Sequence, residues 1–100
     1  MIDRGFAEAF AAEWIAASPF IVERMGEPSG RLRGKAAIRP YWGPAVAKGE
    51  IRFTLEEVLV GVDALTILYR RETGQRVAET IAFDAARRGV RGAAHYGARP

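Results

Sequence analysis

The sequence predicts an α+β fold, with N-terminal helices packed into a curved antiparallel β-sheet that forms a cone around a pocket. Three observations predict it. Gly26–Trp42, GEPSGRLRGKAAIRPYW, is a basic Gly/Pro-rich loop feeding one short, aromatic-ended helix. Four strand-like runs with hairpin punctuation follow it. The 100 residues, 49% hydrophobic and 27% charged, suffice for one modest core, so 1–100 reads as a single domain.

Phe6–Ala17 reads as a helix. Phe6, Phe10, Trp14 and Ala17 recur at helical spacing, Asp3 serves as N-cap, and the alanines between raise helix propensity. Ser18-Pro19 ends it, because a residue before proline is pushed out of the α region. Phe20–Met25, apolar and β-branched, reads as a strand. Gly26–Gly34 is a loop, with turn chemistry from Glu27-Pro28 and Ser29-Gly30. Lys35–Ala47 is the second helix, with Ile38, Tyr41 and Trp42 on its apolar face. Pro40 and Pro44 predict a kink or restart.

The sheet then begins. Ile51, Phe53 and Leu55 share a face. The apolar set shifts parity to Val58, Val60 and Val62 after Glu56-Glu57, which predicts a bulge. Gly61–Ala64 and Glu72–Gln75 are hairpin turns. Leu65, Ile67 and Tyr69 share a face, as do Val77, Glu79, Ile81 and Phe83. After the Asp84–Gly89 turn, Val90, Gly92, Ala94 and Tyr96 alternate against Arg91, Ala93 and His95.

Composition excludes several functions. With no cysteine there are no disulfides, zinc–thiolate sites or thiol nucleophiles. A single histidine makes a His-based metal site poor, and no metal or cofactor is expected. No apolar run approaches the length of a membrane span. The start, Met-Ile-Asp-Arg-Gly, lacks the basic and apolar regions of a signal peptide, so the expected compartment is cytoplasmic. The net charge of +3 is spread over scattered arginines. That pattern reads as a solvated basic surface rather than a nucleic-acid site. Gly26–Gly34 is no phosphate-binding loop, since Ala36 stands where Ser or Thr would follow the lysine. Arg31, Arg33 and Lys35 there are still suited to attract an anion.

The order of these pieces resembles the SnoaL-like branch of the NTF2-like superfamily, which includes polyketide cyclases and ketosteroid isomerases and has a cystatin-like cone. The matching segments are Phe10–Trp14, Ser18–Phe20, Gly26–Trp42, and the sheet segments 55–70, 74–85 and 90–97. The resemblance implies a strongly curved sheet, a pocket on its concave face, and a homodimer through its convex face. The chain departs from the family in lacking the usual second short helix, since Ala16-Ala17 runs directly into Ser18.

Glu79 is the sharpest polar signal, because it shares a strand face with Val77, Ile81 and Phe83. Desolvation raises the pKa of a core-facing carboxylate, and a neutral carboxylic acid can donate to a substrate oxygen, as the ketosteroid isomerase precedent illustrates. The resemblance places Glu79 at that family's proton-holding acid. The competing reading has Glu79 paired with an arginine or reaching solvent at the cone's mouth. Ser18 falls at the isomerases' general-base position and Trp14 at their oxyanion-hole tyrosine. Neither substitute does the same work, which argues against steroid isomerisation. Tyr41, Trp42 and Tyr96 fall where the family lines its pocket, and read either as an aromatic wall for a flat apolar ligand or as core. The strand parity of His95 points it to the convex side.

Two functions are therefore expected from sequence. The first is binding of a small apolar molecule by Trp14, Ser18, Tyr41, Trp42 and Tyr96, with metal-free isomerase- or cyclase-type proton transfer by Glu79. The alternative is a non-catalytic homodimerising module.

Overall fold

The computed structural model describes residues 8–47 and 53–98, and only the backbone of residues 44–47. Asp3, Phe6 and Ile51 lie outside the described residues. The elements in chain order are β1 (Phe10–Ala17), α1 (Pro19–Met25), β2 (Arg31–Arg33), α2 (Lys35–Ala47), β3 (Phe53–Gly61), β4 (Ala64–Arg71), β5 (Arg76–Phe83) and β6 (Gly89–Tyr96). Six strands form one curved sheet in the order β2-β1-β6-β5-β4-β3. The cone is as expected, but the sheet is mixed rather than wholly antiparallel. β1 and β6 pair parallel, while every other neighbouring pair is antiparallel. A parallel pair requires a long connection, and the rest of the chain supplies one.

The N-terminal part reverses two sequence readings. Of the expected helix Phe6–Ala17, only Glu8 and Ala9 are helical among the described residues, and Phe10–Ala17 is a strand. Its decisive pattern has period two, with Trp14, Ala16 and Ser18 buried in alternation. Trp14 satisfies the helical and the strand spacing equally well. Hydrogen bonding to two flanking strands then overrides the helix propensity of the alanines.

The expected strand Phe20–Met25 is instead helix α1. Ser18 is its N-cap, with Oγ accepting from the Phe20 N–H at 3.2 Å. Pro19 sits at the first helical position, where its missing N–H costs nothing. Gly26 closes the helix in the left-handed region, φ 68°, its N–H donating to the Val22 carbonyl. Start and stop chemistry here outweighs the β-propensity of Ile21 and Val22. The Gly26–Gly34 loop also contains the short strand β2. Helix α2 has the expected bounds and runs through Pro40 and Pro44 as one 13-residue element. Fully buried Ile38 anchors it to the core.

The C-terminal half follows the sequence reading closely. The β3–β4 register shifts between Leu55 and Glu57, which is the expected bulge. Leu65 lies opposite Ile81, Ile67 opposite Glu79 and Tyr69 opposite Val77. Gly92, Ala94 and Tyr96 stand opposite Ile81, Glu79 and Val77. All these residues therefore share the concave face. The Asp84 carboxylate holds the last turn, accepting from the Ala86 and Arg88 N–H groups at 2.9 Å.

The core sits where β1 meets both helices, around Trp14, Ala16, Ile21 and Ile38, with Phe10, Leu32, Tyr41 and Trp42 packed against it. Phe10 stacks on Trp14 at 4.2 Å between centroids, and Trp42 lies 5.0 Å from Trp14. Glycines of β6 make room for these rings. A Cβ on Gly92 would meet the Trp14 ring at 3.5 Å, and one on Gly89 would meet the Phe10 ring at 2.7 Å.

Candidate functional site on the concave face

The site is built by neighbouring strands whose register puts polar groups on an apolar face. Tyr69 of β4 and Glu79 of β5 are diagonal neighbours, and the Tyr69 hydroxyl donates to Glu79 Oε1 at 2.8 Å. Across the next strand pair Glu79 faces Ala94, a residue too small to cover it. The carboxylate is only half-buried. Among the described residues Tyr69 is its hydrogen-bond partner, and no arginine forms an ion pair with it. Burial and then the bond to Glu79 push the Tyr69 hydroxyl well above the ordinary phenol range. Tyr69 therefore stays protonated at neutral pH and acts as a donor.

A second polar cluster adjoins the first. Ser18 Oγ accepts from the Tyr41 hydroxyl at 3.1 Å as well as from the Phe20 N–H. The Tyr96 side chain lies beside the same serine and packs edge-on against Phe20 at 4.5 Å. Burial raises the Tyr96 pKa; the Ser18 hydroxyl opposes that rise, and the Tyr41 and Glu79 charges add to it. Helix α1, through its cap, thus ties one end of the cone to α2 and β6.

Positive charge reaches both clusters from Arg71, which lies two residues beyond Tyr69 on the same strand. Its charge lowers the pKa of both Tyr69 and Tyr96, against the dominant effect of burial. Its guanidinium carbon stands 5.5 Å from the Phe20 ring centroid, and Nη1 donates to the Gln75 side-chain oxygen at 2.8 Å.

The sequence-predicted residues separate into two groups. Ser18, Tyr41, Tyr96 and Glu79 come together around the open concave face. Trp14, 1% exposed, and Trp42 lie in the aromatic core and form a packed floor behind it. Tyr69 and Arg71 were missed as site residues. Strand parity carried the signal for Tyr69, which shares its face with Leu65 and Ile67 and meets Glu79 once the hairpin is paired. His95 is exposed on the opposite face, with Nδ1 3.4 Å from the Ala78 carbonyl, as its parity predicted. Arg31 and Arg33 are exposed on the edge strand β2. Among the described residues there is no cluster of His, Asp or Glu suited to a metal ion. No described helix is long and apolar enough to cross a membrane.

No family model and no curated protein matches the chain. Solved structures do. A SnoaL-like protein of unknown function from Burkholderia thailandensis is 37% identical and superposes with a TM-score of 0.86, covering 97% of this chain and 81% of its own. The chain belongs to the SnoaL-like family. More distant SnoaL-like and isomerase structures share its fold. A putative isomerase of the SnoaL-like family from Agrobacterium tumefaciens has 12% identity and a TM-score of 0.69, over 92% of this chain and 77% of that one. A steroid delta-isomerase from Pseudomonas aeruginosa has 13% identity and a TM-score of 0.72, over 94% of this chain and 66% of that one.

Proposed function

We propose that this SnoaL-like protein binds a small, largely apolar molecule on its concave face and transfers a proton with Glu79. The observation that carries this reading is the Tyr69–Glu79 pair, a donor and a carboxylate side by side on a largely apolar sheet face. Ala94, directly opposite on β6, is too small to cover the carboxylate. Tyr69 orients Oε1, and the other carboxylate oxygen is free to meet a substrate. Glu79 takes a proton from a carbon next to a carbonyl and returns it elsewhere on the same molecule, while Tyr96 donates to the oxygen on which charge develops. Ser18 positions rather than reacts, because its oxygen already accepts two hydrogen bonds. With serine there and tryptophan at position 14, steroid isomerisation is not the proposed reaction.

The test is a thermal-unfolding scan against steroids and aromatic polyketides, then turnover with whichever ligands raise the midpoint. Glu79→Gln is expected to abolish turnover and leave the melt intact. Full turnover by that variant would remove Glu79 from the chemistry.

A second reading rests on the convex face. Thr66 and Thr80 join hydroxyls there at 2.9 Å, beside exposed Leu59 and small Ala78 and Ala82. This convex surface suits a homodimer. Sedimentation velocity that gives one protomer for the wild type would refute it.

A further inference from the structure

We infer that the concave face takes an elongated apolar acid, its carboxylate held by Arg71 and its body directed toward Glu79. This rests on the proposed pocket and names the chemical class of its ligand.

The argument starts from two consecutive arginines on β4. Strand alternation sends them to opposite faces. On the convex side Arg70 pairs with Glu56 at 3.5 Å, and Arg76 joins the same carboxylate at 3.4 Å. On the concave side, among the described residues, no carboxylate pairs with Arg71. Its partners are neutral, the Gln75 amide oxygen and the Phe20 ring. Both fix the guanidinium in place without spending its charge. Arg24 of α1 also stands over Phe20, at 5.2 Å, and adds positive potential at the same rim. A half-buried, held and uncompensated guanidinium beside an apolar face is suited to a carboxylate, which it can bind through two parallel N–H donors.

Geometry sets the ligand's length. Arg71 lies four residues along β4 from Ile67, the rung that pairs with Glu79. At about 3.3 Å per residue that is roughly 13 Å. A body of two or three fused rings, bearing an acid at one end, would span from Arg71 across Tyr69 to the carboxylate. Phe20, Phe53 and Tyr96 flank that path with aromatic rings.

The experiment compares anthracene-2-carboxylate with its neutral carboxamide, binding to the full chain being read by fluorescence titration at low salt. The acid is expected to bind about tenfold tighter, consistent with a charge-assisted hydrogen bond. Arg71→Met should erase that preference, so that the variant binds acid and carboxamide equally, and Arg71→Lys should retain part of it. A cooperative melt of each variant establishes that it folds. Equal affinity of acid and carboxamide for the wild type overturns the acid preference and leaves the pocket standing. A preference that survives Arg71→Met but disappears in Arg24→Met overturns the assignment to Arg71. Binding of neither probe overturns the pocket and this inference together.

Discussion

The two ends of the concave face are built from similar residues and packed very differently. At the β1–β6 end, Phe10, Trp14 and Trp42 interlock over Gly89 and Gly92, and Trp14 and Ile38 are fully buried. At the β3–β4 end, Phe53, Leu55, Val58 and Val60 share the same face but stay exposed, Val60 by 83%. Apolar content does not separate the two ends. What separates them is the position of α1 and α2, which pack against β1 and β2, while among the described residues no helix packs on the edge strand β3. Burial therefore concentrates at one end, and exposed apolar surface at the other.

Substitutions test this contrast. The largest effect is expected at the packed end, where Trp14→Ala removes a buried ring and should cost about 3–5 kcal/mol in urea unfolding. A cost below about 1 kcal/mol would mean the aromatic cluster is not the core. Overfilling the same region with Gly89→Val should cost about 1–3 kcal/mol, because the new atoms meet the Phe10 ring. Ser18→Ala removes the cap of α1 and the acceptor of Tyr41, and about 1–2 kcal/mol is expected. Ser18→Asn, which keeps an acceptor, should lose less. At the open end Val60→Thr should change stability by no more than about 0.5 kcal/mol, since the side chain is largely solvated already.

Alkaline pH sharpens the contrast from the polar side. Tyr69 and Tyr96 both have folded pKa values raised mainly by burial. The unfolded phenol titrates near 10. Below that pH both states are protonated and the tyrosines' contribution is fully present. Above it the unfolded chain releases protons that the folded chain retains, so stability falls as pH rises. Unfolding midpoints should therefore drop above about pH 10, and Tyr69→Phe should flatten that drop. An equally steep drop in the Tyr69→Phe, Tyr96→Phe double variant would assign the alkaline loss elsewhere.

Much of the open end was legible in the sequence. The bulge after Leu55, the hairpins and the concave placement of Glu79 and Tyr96 all follow from a period of two, which register then preserves across the strands. Helix Lys35–Ala47 was legible from its aromatic face despite two prolines. The packed end was misread because its local signals conflict. Alanine-rich Phe10–Ala17 favours helix and β-branched Ile21-Val22 favours strand, and each adopts the opposite state. Ser18-Pro19, read from the sequence as the end of a helix, starts one instead, and Gly26 stops it.

By itself the sequence determined the family, the hairpin half of the sheet and the face on which Glu79 lies, because alternation along a strand is a local property of the chain. Only the tertiary structure decided that residues 10–17 become a strand, that Tyr69 is the partner of Glu79, and that Arg71 has a neutral setting while Arg70 is paired. Those outcomes depend on which strands and helices arrive alongside, and non-local hydrogen bonds and burial there outweigh local preferences of a few tenths of a kcal/mol per residue.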